Sequence, residues 1–125
     1  MIVNILFGKN TIRKINWSGV PPTSKSLAII IDDQNGLIHN IVFNIPSNIS
    51  SLDCLPNGNV ILLPESAIVA KNTDSGIGKI QQYNVNLIAM PTNLSASLAN
   101  KPNELLKEIW NHKIDIAVHK QSFPR

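Results

Sequence analysis

The residues Ser26-Leu27-Ala28-Ile29-Ile30-Ile31 form an apolar run, rich in β-branched side chains and of strand length. Asp32 and Asp33 close it, and Gln34-Asn35-Gly36 follows as a tight turn, because Asn and Gly accept positive φ at little cost. The segment from Ile38 to Ile45, led by His39, then reads as a second strand. Upstream, Trp17 to Pro21 ends in turn-forming residues. The stretch from Asn16 to Pro46 is therefore one ordered unit, with a carboxylate pair and an imidazole on either side of a short turn.

Further strand candidates are Val60 to Leu63 and Ile80 to Met90, the latter with Tyr83, Val85, Leu87 and Ala89 on one face and Asn84 and Asn86 on an outer, wet face. Polar loops are expected from Pro46 to Gly58 and from Lys71 to Gly78. One helix is predicted between Asn100 and about His112: Asn100 as N-cap, Pro102 and Glu104 in the first turn, and Leu105, Leu106, Ile109 and Trp110 as its apolar stripe. Ile114, Ile116 and Val118 suggest a last short strand. Spaced short strands with turn clusters predict an antiparallel β-sandwich with one late helix rather than an alternating α/β fold. The expected core includes Leu27, Ile29, Ile31, Val42, Tyr83, Val85, Leu87, Leu106 and Ile109.

At 125 residues the chain has room for a single domain, spanning 1–125. A hydrophobic fraction of 43% against 15% charged residues speaks for a globular core and against disorder. The net charge of +3 comes from scattered Lys and Arg with few aromatics to stack on bases, so no nucleic-acid surface is expected. Cys54 is the single cysteine, which excludes an internal disulfide and a Cys-rich metal site. The apolar start, Met1 to Phe7, is too short for a membrane span and lacks the features of a secretory signal. A cytoplasmic location without an integral membrane segment is the resulting expectation.

The order of these residues resembles the phosphatidylethanolamine-binding protein family, also called Raf-kinase-inhibitor-like, and especially its bacterial members. The resemblance rests on Trp17-Ser-Gly-Val-Pro21, Lys25-Ser-Leu-Ala28, Asp32-Asp33, His39 and Asn44-Ile-Pro46, with weaker echoes in Tyr83 to Met90 and in Asn103 to His112. Residues 1–15 match the family poorly. The resemblance implies a Greek-key sandwich, a small anion pocket for a phosphoryl head group, and a kinase-modulating role. Three positions depart from the family pattern. Asp33-Gln34-Asn35-Gly36 stands for a loop that usually carries two acids, Asn40 stands for an aromatic residue, and Gln81 stands for a second pocket histidine.

Asp33 with His39 is the leading constellation, since a carboxylate can hold an imidazole cationic and so create a donor for an anion. The plainer alternative has Asp33 capping the turn and His39 as a hydrogen-bonded strand end. The loop Ser75-Gly76-Ile77-Gly78-Lys79 could offer backbone N–H groups and an ammonium to the same anion, with Gln81 adding an uncharged donor, or it could be a plain hairpin turn. It is not a Walker loop, lacking the four-residue spacer and the Ser or Thr after Lys. Nucleophilic catalysis has little support: Cys54 has no basic neighbour in sequence, and Ser18 and Ser66 lack a nucleophile elbow. A metal site built from His39, His112 and His119 would need a convergence that spacing does not indicate. The expectation is a non-enzymatic module without cofactor or metal, with Asp33, His39, Gly76 and Gln81 as ligand-binding residues and a small anionic or phosphorylated ligand. The alternative is a protein-interaction scaffold, partnered by another protein, whose pocket has decayed.

Overall fold

The computed structural model describes residues 1–8, 11–55, 61–72 and 82–122. Its strands are β1 (Ile2–Gly8), β2 (Thr11–Ser18), β3 (Ser26–Asp33), β4 (Ile38–Pro46), β5 (Ser51–Asp53), β6 (Ile68–Asn72), β7 (Gln82–Met90) and β8 (Asp115–Ser122). A 3-10 turn (Ala96–Asn100) and the helix α1 (Pro102–His112) lie between β7 and β8. Every pairing is antiparallel, in a three-stranded sheet of order β1-β2-β5 and a five-stranded sheet of order β6-β4-β3-β7-β8. Within the larger sheet β7-β3-β4-β6 is the Greek-key order, the last strand returning beside the first.

The apolar run of β3 lacks alternation because both of its faces are covered. Leu27, Ile29 and Ile31 enter the core between the sheets with Val42, Ile45, Val85, Leu87, Ile15 and Trp17. Ala28 and Ile30 enter a second core with Ile41, Phe43, Ile88 and Met90, which α1 closes with Leu105 and Ile109. The outer face of β7 is therefore only partly wet. Asn84 and Asn86 are half-buried, while Ile88 and Met90 lie under the helix.

The structure corrects the sequence expectations at several points. The poorly matched start is a β1–β2 hairpin, whose register shifts where Leu6 pairs with Lys14 and Phe7 with Ile12. Arg13 is the extra residue, and this bulge breaks the alternation by which a strand is recognised. The expected loop after Pro46 contains β5, and β6 runs into the segment assigned to a loop from Lys71. The expected Val60 strand is reduced to a bridge between Ile61 and Cys54, with Leu62 and Leu63 exposed; Val60 itself lies outside the described residues.

The helix begins one residue later than expected. Asn100 ends the 3-10 turn, Lys101 occupies the N-cap without a side-chain cap, and Pro102 opens the first turn. Leu105 and Ile109, four residues apart, are the fully buried pair, whereas Leu106 is half-buried and Trp110 is 43% exposed. Trp110 lies off the buried stripe and carries the Lys113 ammonium 5.5 Å from its ring centre. Among the described residues no helix is long and apolar enough to cross a membrane.

Truncation should separate the two sides of this helix. Leu105→Ala is expected to cost about 2 to 5 kcal/mol through lost burial and a residual cavity, and Trp110→Ala less than about 1 kcal/mol. Equal losses in urea unfolding would contradict the packing described.

Candidate functional site

Asp33 ends β3 and starts the turn, and its two carboxylate oxygens do different work. Oδ1 accepts the backbone N–H groups of Asn35 at 2.8 Å and Leu37 at 3.1 Å. The turn is closed by Gly36 N–H donating to Asp33 O at 3.0 Å, with Gly36 at φ +81°, where a side chain would be strained. Oδ2 lies 2.8 Å from His39 Nε2. Both residues are almost fully buried, at 4% and 1% exposure. The turn-capping role and the imidazole pairing are thus met by one side chain.

A bulge makes this pairing possible. Ile31 pairs with Asn40 and Asp32 with Ile38, so His39 is the extra residue of β4. In regular antiparallel pairing His39 would stand opposite Asp32 and share its face; the inserted residue turns the imidazole to the Asp33 face instead. Tyr83 pairs with Asp33 from the other side, on β7. Its ring meets that of His39 edge to face, with centres 5.6 Å apart and planes at 72°.

Burial acts to raise the Asp33 pKa, yet the His39 hydrogen bond, the two backbone donors and the nearby imidazole charge outweigh it and hold the carboxyl below its ordinary range. An ionised carboxylate only accepts, so His39 Nε2 carries the proton it shares with Oδ2. Next to this pair, Asn40 Nδ2 donates to Asn72 Oδ1 at 2.8 Å. Asn72 in turn holds both backbone groups of Ile61, accepting from its N–H at 2.8 Å and donating to its carbonyl at 2.9 Å. Asn40 thereby anchors the segment at Ile61 to the sheet.

Of the four expected ligand residues, Asp33 and His39 are in direct contact, while Gly76 and Gln81 lie outside the described residues, as does the whole Ser75 to Lys79 loop. Tyr83 and Asn40 were not foreseen as site residues. The parity of the Tyr83 strand was readable, but its register against Asp33 was not. Elsewhere, His112 pairs with Glu108 at 3.2 Å on the helix surface and His119 contacts Gln121 at 3.1 Å on β8. Among the described residues no three His, Cys, Asp or Glu side chains converge to hold a metal. Cys54 is buried, and desolvation, with the charge of Asp53 beside it, pushes its thiol up to about 12. Its thiolate is not populated at neutral pH.

No family model matches the chain. A curated relative, a UPF0098 protein of Methanothermobacter thermautotrophicus, is 27% identical over 116 residues, covering 84% of this chain and 77% of the relative. Among solved structures, a phosphatidylethanolamine-binding protein homolog from Chlamydia trachomatis superposes with a TM-score of 0.67 at 23% identity, over 90% of this chain and 80% of that one. The chain has the phosphatidylethanolamine-binding-protein fold. Two packed antiparallel sheets with a late helix are what the Trp17 to Pro46 resemblance implied, and the Asp33–His39 pair sits at the turn end of this fold's central hairpin.

Because the Asp33 carboxyl is held below its ordinary range, the unfolded chain binds more protons than the folded one in acid. Its stabilising contribution is therefore complete above the unfolded value of about 4 and is lost as pH falls through the folded value. Asp33→Asn should cost about 1 to 3 kcal/mol at neutral pH, and the gap to the parent should narrow as pH drops below about 4. A gap that stayed constant in acid urea titrations would mean that the charge contributes nothing.

Proposed function

We propose that this protein is a non-enzymatic binding module of the phosphatidylethanolamine-binding-protein type, taking a small anionic or phosphorylated ligand weakly at the Asp33–His39 end of the sheet. The supporting observation is the buried 2.8 Å contact between His39 and Asp33, which fixes the orientation of the ring. An imidazole held in one orientation by a carboxylate recognises anions best when it is protonated. Gln81 in place of a second histidine removes a cation from the family pattern, which argues for low affinity. The reading includes a cytoplasmic location, in keeping with a chain whose only cysteine is a buried free thiol.

A second reading is favoured by the same burial. With one Asp33 oxygen taken by the turn and the other by His39, the pair also suits a structural element of a protein-interaction or kinase-modulating scaffold.

The two readings separate on a phosphate titration and a partner-binding assay taken together. If the module binds anions here, inorganic phosphate should shift the His39 ring signals in NMR with saturation, and Asp33→Asn should weaken the effect. Ring signals unmoved by excess phosphate, together with a captured partner protein that still binds His39→Ala, would leave the scaffold reading.

A further inference from the structure

A cavity of about 320 Å³ opens at the other end of the central hairpin, where β3 begins and β4 ends. Its walls include Lys25, Asn44, Ser47, Asn48, Ser66 and Asn93, with Pro46 as the apolar member. Among the described residues no acid lines it and no aromatic ring supplies a stacking face. Ser26 pairs with Pro46 and Met90 at this end, and Asp33 with Tyr83 at the opposite one, so the length of β3 separates the cavity from the His39 cluster.

Two independent features mark the cavity as built. The first is backbone strain. Asn44 at φ 55° and Ser66 at φ 74° are the non-glycine residues in the left-handed region among the described residues, and both line this cavity. Such conformations cost free energy, more so for Ser than for Asn, and persist where the surroundings enforce them. Asn44 is enforced by a bulge, since Leu27 pairs with Ile45 but Ile29 with Val42. The second is rigidity. Asn44 Nδ2 donates to Leu94 O and Asn44 Oδ1 accepts from Leu94 N–H, both at 2.8 Å, while Ser26 Oγ–H donates to Thr92 O at 3.0 Å. These bonds pin the segment carrying Asn93 against the sheet, leaving the Asn48 and Asn93 amides and the Ser47 and Ser66 hydroxyls on a fixed frame.

We infer that this cavity is a second ligand site, taking a small hydroxyl-rich molecule with a single carboxylate, of the sugar-acid or hydroxy-acid class. The volume stands at the lower end of small-molecule sites and suits one sugar-sized unit. Amides and hydroxyls both donate and accept, which matches hydroxyl groups of either sense. Lys25 is the one charge that the described residues place on the wall, and it calls for one anionic group on the ligand. A wall so short of apolar surface gives little to a lipid tail or an aromatic ring.

Gluconate and its uncharged counterpart sorbitol are the probes, followed by backbone amide NMR of the full chain. Gluconate should shift the Ser47, Asn48, Ser66 and Asn93 signals with saturation and bind roughly tenfold more tightly than sorbitol, the worth of one charge-assisted hydrogen bond. Lys25→Gln, at an exposed position, should bring gluconate down to the sorbitol level and leave sorbitol unchanged, while His39→Ala should alter neither. The inference is overturned if neither probe gives saturable shifts at millimolar excess, if the shifts appear around His39 and Tyr83 instead, if Lys25→Gln has no effect, or if inorganic phosphate binds this cavity as well as gluconate does.

Discussion

β3 is flanked by β4 and β7 and covered by the small sheet on one face and by α1 on the other, so every one of its residues except Asp32 is buried. A strand enclosed in this way cannot slip. Moving its register by one residue would exchange Leu27, Ile29 and Ile31 for Ala28, Ile30 and Asp32, emptying one core of volume and forcing a carboxylate into it. The same shift would carry Asp33 to the helix side, away from His39 and Tyr83. The position of the buried acid is therefore set by hydrophobic packing along the whole strand rather than by the turn alone.

Against that fixed strand, β4 carries two inserted residues, one near His39 and one near Asn44. Each bulge redirects a polar side chain that a regular ladder would have placed otherwise. At one end the imidazole reaches the Asp33 carboxylate; at the other the Asn44 amide reaches the backbone of Leu94. The apolar residues between them, Ile41, Val42 and Phe43, keep their alternation and fill the two cores. One strand thus serves packing in its middle and recognition at its ends, with the irregularities confined to the ends.

This division also explains what could be read from the sequence. The apolar run of β3, the Asn35-Gly36 turn and the parity of Tyr83, Val85 and Leu87 are local signals, and they gave the hairpin, the central strand and the sandwich. The Asp33–His39 contact was legible because the family-like order of residues set the two on facing strands. The β1–β2 hairpin was hidden by the Arg13 bulge, β5 by its length of three residues, and β6 by lying at a sheet edge with its residues only partly covered. Leu105 took the deep place expected for Leu106 because the axial rotation of α1 over the sheet, not its periodicity, decides which of two adjacent leucines faces inward. The cavity beside Lys25 left no sequence signal, since its polar lining is gathered from turns distant in the chain.

The two ends of the hairpin differ in how their charge is balanced, and this sets the kind of ligand each can hold. At the turn end the Asp33 carboxylate already receives two N–H groups and an imidazole, so a protonated His39 and its partner together carry no net charge. An anion approaching them gains from hydrogen-bond geometry and shape more than from a field, and without a second cation its binding stays weak. At the opposite end Lys25 stands on a wall where the described residues include no acid to compensate its charge. A single anionic group placed there keeps its full partner, so discrimination at that end should follow ligand charge, whereas discrimination at the His39 end should follow ligand shape.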